Sequence, residues 1–199
     1  MKIKIKKQGK QKEFKLISKW EDVTLEKWIK LIDFKKGTKT KEAEETIALL
    51  SNIPKDIINQ LELKDVVLIM AKVVEYQDKQ NSSLKRIIKI DEEDFGFHPD
   101  LEAITLGEFA DLEQFIKLGI EKHLHEIMAI LYRPIVDREG KLYAIEPYSG
   151  NIKLRAEKMK KMSAEQVQSA LVFFYLLGNV FLMITESFLA ERLKEMQKQ

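Results

Sequence analysis

The residues best suited to acid–base work or metal binding are three histidines, and two of them fall within "EKHLHE", at His123 and His125. Residues two apart on a helix point in different directions, so this His-x-His is not a helical zinc pair. Glu121 and His125 are four apart and would share a helical face. A metal would still need further ligands from elsewhere in the chain, and the pattern reads as surface polar residues. His98 precedes Pro99 and has no partner that spacing identifies. Acids are plentiful, but no pair has a spacing diagnostic of general acid–base catalysis.

Asp94-Phe95-Gly96 spells a kinase metal-binding motif. It has no Gly-rich phosphate loop and no His-Arg-Asp loop beside it, so it reads as part of a loop, "DEEDFGFHPD". No Gly-x-Ser-x-Gly elbow is present, and the absence of Cys removes thiolate catalysis, disulfides and Cys-based zinc sites. The expectation is a protein that is not an enzyme, with no cofactor and no metal.

Those residues sit in a chain whose periodicity is mostly helical. "DVTLEKWIKLIDF" spaces Leu25, Trp28, Ile29 and Ile32 at helical intervals behind Thr24 or Asp22, and Gly37 ends it. Further helices are expected over about Lys39 to Leu50, in "PKDIINQL", and from about Lys64 to Gln80. Thr105 and Glu108 form a capping box. The helix behind it places Leu106, Phe109, Leu112, Phe115 and Ile116 on one face, with Glu108, Asp111 and Glu113 mostly outward. "IEKHLHEIMAILY" continues as a helix that Pro134 stops. "GNIKLRAEKMKKM" reads as a basic helix, and a second capping box at Ser163 and Gln166 opens a long C-terminal helix.

Strand signals are fewer. "KIKIK" alternates Lys with Ile, "LKRIIKI" reads as a strand, and "PIVDREGKLYAIEPY" reads as a hairpin with its turn at Arg138-Glu139-Gly140. The expected fold is therefore mainly α: a multi-helix bundle with a long apolar C-terminal helix, a basic β arm over 1–20, and a helical domain over 21–199 with a small hairpin near 134–147.

Within that last helix "ALVFFYLLGNVFLMI", Ala170 to Ile184, carries no charge. A membrane span needs about 20 mostly apolar residues. This run is shorter, is interrupted by Asn179, and would immerse Gln168 or Glu186 if stretched. No membrane span is expected. A helix apolar nearly all round belongs in a bundle or an oligomer interface, and from Ser163 to Met196 it would be about 50 Å long, more than one small domain covers.

The net charge of +2 hides an uneven distribution. Eight lysines and one acid, Glu13, occupy Met1 to Lys19, while nine acids and no Lys or Arg occupy Asp91 to Glu113. Such blocks are usually solvated faces, and they can also steer docking. The basic N-terminal start lacks an apolar signal-peptide core, so secretion is not expected. The near-neutral total argues against nucleic acid, for which the N-terminal lysines and "IKLRAEKMKK" would be the phosphate contacts.

"LEAITLGEFADLEQFI", "HEIMAILYRPIV" and "YAIEPY", over about Leu101 to Tyr148, together resemble small proteins of tailed bacteriophages, including crAss-like phages, encoded among structural genes. The resemblance implies a virion component, cargo protein or tail-assembly factor, located in the virion or the host cytoplasm. Its partners would be copies of itself and other phage structural proteins. The surfaces expected to carry those contacts are Phe173, Phe174, Leu177, Phe181, Ile184 and Phe188 on the C-terminal helix, Lys4 and Lys6 on the arm, and Glu108 and Asp111 on the capped helix. Two other functions fit the same residues: a soluble adaptor or chaperone for a hydrophobic partner segment, and a nucleic-acid-associated accessory protein.

Overall fold

In the computed structural model, residues 2–7, 10–35, 37–78 and 83–171 are described. The hairpin β1 (Lys2–Lys7) and β2 (Lys10–Lys15) leads into helices α1 (Leu25–Phe34), α2 (Lys39–Leu50), α3 (Lys55–Ile58) and α4 (Leu63–Asp78). Strands β3 (Ile87–Ile90) and β4 (Glu93–Phe97) precede helices α5 (Leu106–Gly119) and α6 (Leu124–Leu131). Strands β5 (Tyr132–Glu139) and β6 (Leu142–Ile145) and helix α7 (Lys153–Met159) follow, and residues 164–171 are again helical.

The four strands β3 to β6 form one antiparallel sheet in chain order, separate from the β1–β2 pair. That sheet overturns the expectation of a mainly α bundle: the fold is a mixture of helices and antiparallel sheet. β4 is the kinase-like stretch expected to be a loop. Phe95 and Phe97 on it are fully buried, and Gly96 is demanded by packing, because a Cβ there would lie 2.4 Å from the Tyr143 ring. The Tyr143 hydroxyl crosses above it to donate to the Phe97 carbonyl at 2.7 Å. β5 contains Pro134, expected to stop the preceding helix and to open the hairpin; α6 already ends at Leu131, and the chain goes straight into the strand. Pro134 stands opposite Phe95, and the register shifts between Ile135 and Asp137. A missing N–H beside a bulge is how a strand accommodates proline.

Two apolar cores result. The sheet core gathers Ile88, Phe95, Phe97 and Tyr132 with α6, whose Ile127, Met128, Ala129, Ile130 and Leu131 are all buried. A helix apolar all round must be surrounded, and α6 packs against α1, α5, α7 and β5. The helical core gathers Trp20, Leu31, Ile47, Leu50, Ile57, Ile69 and Val73. The hairpin leans on it through buried Phe14 and Leu16, and Ile17 N–H donates to the Leu50 carbonyl at 2.9 Å.

α1 joins the two cores, with Trp28 packed against both. Thr24 caps α1. Its first free amides, Leu25 and Glu26, donate to the carbonyls of Met162 and Lys160 at 2.7 and 3.1 Å, which satisfies helix-terminal donors from a distant segment. The Ser163–Gln166 box is formed reciprocally, each backbone N–H donating to the other's side chain at 3.2 Å.

Candidate functional site

The Thr105–Glu108 capping box is present as the spacing predicts, but it faces inward. Glu108 is 1% exposed, whereas Leu106 is 83% and Phe109 58% exposed. The expected face of α5 is met only in part: Leu112 is buried and Phe115 partly so, but Glu108 is buried as well, and Leu106, Phe109 and Ile116 are on the outside. Glu108, expected at a partner contact, is instead engaged inside the chain.

Arg133 of β5 is the cause. Its Nη2 lies 2.6 Å from Glu108 Oε1, and both side chains are buried. Glu108 Oε2 also accepts from the Thr105 N–H and hydroxyl at 2.7 and 2.6 Å. His98, at the end of β4, brings Nε2 to 3.6 Å from Glu108 Oε1. The Arg133 guanidinium lies over the Tyr148 ring, 5.8 Å from its centroid, and the Tyr148 hydroxyl donates to the Asp111 carboxylate. Asp111 is thereby half-buried and engaged within the chain rather than displayed. Arg155 extends the cluster, donating from Nε to the Ala129 carbonyl at 2.6 Å and from Nη1 to Glu146 at 3.1 Å.

Burial alone would raise the Glu108 carboxyl, but the bonds from Thr105 and the charge of Arg133 outweigh it and hold it below the usual carboxylate value. Burial lowers His98, against the opposing pull of Glu108. Burial also lowers Arg133 and raises the Tyr148 hydroxyl. A carboxylate held ionised by a guanidinium and two donated hydrogens is a poor proton acceptor. The cluster pins α5 to β5; it is not built to move a proton. A cavity of about 190 Å³ lies beside it, lined by Arg86, His98 and Asp100 among others.

The other histidines are arranged around Glu126, not Glu121. A 3₁₀ turn at Ile120–Lys122 breaks the expected continuous helix, and His123 and His125 place Nδ1 at 3.5 and 3.0 Å from the Glu126 carboxylate. Among the described residues no group of three or more His, Asp or Glu is placed to hold a metal ion.

No family model, curated protein or solved structure matches this chain. Its own surface carries the functional reading.

Much of the acidic block is paired within the chain. Lys158 and Lys161 of the basic segment pair with Glu93 and Asp91 of the acidic one, and Asp94 faces Arg138 at 3.8 Å. Lys4 is exposed on β1 and lines a groove of about 610 Å³ between the hairpin and α4. Lys6 is a residue of β1 whose side chain lies outside the described residues, as do Phe173, Phe174, Leu177, Phe181, Ile184 and Phe188. Among the described residues no helix is long and apolar enough to cross a membrane.

Large apolar side chains are also exposed, on two helices. On α5 the outward residues include Leu106, Phe109, Ile116 and Leu118. On α4 they are Leu63, Val67, Leu68 and Val74. α4 and α2 also frame an open groove of about 770 Å³, floored by Ile47, Ile58, Val66 and Met70. The α4 surface was not foreseen. "VVLIMAKVV" is a broad apolar face in the sequence, and packing leaves its Val67, Leu68 and Val74 uncovered.

Proposed function

We propose that this protein is a non-catalytic assembly component that works through protein–protein contacts. The observation that carries this is the pair of exposed apolar faces, one on α4 over the helical core and one on α5 beside the sheet core. Large apolar side chains clustered at the surface mark interaction sites, and two different faces let one chain hold two neighbours. Contacts of unlike faces close into rings or continue into stacks. The resemblance of Leu101 to Tyr148 to small tailed-phage proteins supplies the setting: a virion component, cargo protein or tail-assembly factor acting in the particle or the host cytoplasm, beside copies of itself and other phage structural proteins. The buried Glu108 cluster supports a scaffolding role, since its charges are committed to holding α5 in place.

Light scattering of the purified chain tests this reading. A defined oligomer is expected at micromolar concentration. A monomer at every concentration would contradict it and favour the adaptor for a hydrophobic segment.

A further inference from the structure

The β1–β2 sheet has two outer edges, and the chain treats them differently. On the β2 side, Lys15 N–H donates to Asn52 Oδ1 at 2.6 Å, and the Lys15 carbonyl accepts from Asn52 N–H at 3.0 Å. Both Lys15 groups therefore point away from β1, so Lys2 and Lys15 are opposed without bonding each other. Such pairs alternate with bonded ones along a hairpin. Lys4, opposite Glu13, thus also turns its N–H and C=O outward, on the β1 side. Among the described residues no backbone hydrogen bond from another element reaches that edge.

The groove of about 610 Å³ between the hairpin and α4 runs along it. Lys2, Ile3, Lys4 and Ile5 all line the groove. Successive side chains of a strand point to opposite faces, so a groove bordered by consecutive residues follows the edge of β1 rather than one face. Across it, α4 presents exposed Leu68. On that wall Lys64 and Lys72 are balanced by Glu62 and Asp65, and the excess charge lies on the hairpin. There Lys2, Lys4 and Lys15 share a face with Glu13, which Lys2 already engages at 2.6 Å.

These features define the occupant. Outward N–H and C=O groups alternating along an edge are matched by another polypeptide strand, whereas a phosphate backbone has no donors for the carbonyls. Lysines on an edge oppose pairing with a second copy of the same strand, but attract a strand that carries carboxylates. Ile3 and Ile5, packed on the helical core, give the other face of an added strand an apolar bed.

We infer that β1 accepts an extended segment of a partner protein as a third strand, one that alternates acidic and apolar residues. Its carboxylates lie beside Lys2 and Lys4, and its apolar side chains on the Ile3 and Ile5 side, toward Leu68. This contact goes beyond the assembly reading and requires no oligomer.

The probe is a short, capped, fluorescein-labelled peptide alternating Glu and Val, titrated with the full-length chain and read by fluorescence anisotropy. Saturable binding is expected, with a Lys–Val peptide of the same length bound at least about tenfold more weakly. A strand bonds its neighbour through every second residue. N-methylation of all the Val amides or of all the Glu amides should therefore abolish binding in one case and spare it in the other. In the chain, Lys4→Pro should weaken binding more than Lys4→Ala, because it also removes the outward N–H while leaving the hairpin ladder intact. Circular dichroism matching the parent qualifies both variants, and the methylated peptides test the same edge on the unaltered chain. No saturable binding of the Glu–Val peptide, or equal binding of its two methylated forms, would overturn the inference. So would displacement of the peptide by an equal concentration of oligothymidylate, which would assign the groove to nucleic acid.

Discussion

At the scale of single residues, the ion pair between Glu108 and Arg133 is the feature on which the placement of α5 depends. Removing one member of a buried pair leaves an uncompensated charge, at a cost of about 3–5 kcal/mol. Arg133→Ala is therefore expected to lower unfolding stability by that amount in urea titration. The combined Glu108→Gln, Arg133→Met variant should lose clearly less than the sum of the two single changes, since Gln can still cap α5. Near-additive losses would show that the two side chains do not act as a pair.

His98 makes the same region sensitive to pH. Its proton is bound less readily in the folded chain than at the ordinary imidazole value of 6.5, so unfolding takes up a proton once the pH drops below that value. Stability is held in full above 6.5 and falls as the pH goes from there toward the depressed folded value. His125 is lowered by burial too and adds in the same direction. Glu108 contributes only at more acid pH, because its folded value lies below the ordinary 4.5. His98→Gln should flatten the loss of melting temperature just below 6.5. A slope unchanged from the parent would place the titration elsewhere.

At the scale of elements, the clearest prediction concerns the β3–β4 turn. Asp91 and Glu92 both have positive φ, 49° and 66°, as a tight two-residue hairpin turn of this hand requires. A side chain in that region costs about 1–2 kcal/mol per residue. Lys161 pairs with Asp91 and Lys89 with Glu92, and the latter, being exposed, offsets little. Glu92→Gly is expected to raise stability by up to about 1 kcal/mol, read as a higher denaturation midpoint. A lower midpoint would mean that the ion pair outweighs the backbone strain.

Elements with local signals were legible in the sequence. Thr24, Thr105 and Ser163 announced helix starts because capping is a matter of spacing over three residues. α2 was bounded correctly from its periodicity alone. The sheet is legible in part: "LKRIIKI" and the hairpin near 134–147 correspond to β3 and β5–β6, whereas β4 is not legible because it carries Asp94 and Gly96 where alternation should be apolar. Only Tyr143, far along the chain and packed on Gly96, shows why those residues suit a strand. The facing of α5 was misjudged for the same reason. Its apolar stripe argued for burial, while the decisive partner, Arg133, is 25 positions from Glu108 and gives no local sign. An arginine inside the apolar run "MAILYRPIV" was the one hint that a buried acid lay opposite.

At the scale of the whole molecule, exposed apolar faces carry the functional reading. Part of the acidic block is paired within the chain, Glu93 with Lys158 and Asp91 with Lys161. The apolar surface expected only of the C-terminal helix is present on α4 and α5. A body with two such faces over different cores is suited to neighbours on two sides. The most direct test is the solution mass of three full-length chains by light scattering: the parent, Val67→Glu on α4 and Phe109→Glu on α5. Both positions are solvent-facing, 58% exposed in each case, so neither change should unfold the chain. The account predicts an oligomer for the parent and a smaller species for each variant. A parent mass equal to the monomer, or an oligomer indifferent to both substitutions, would contradict it.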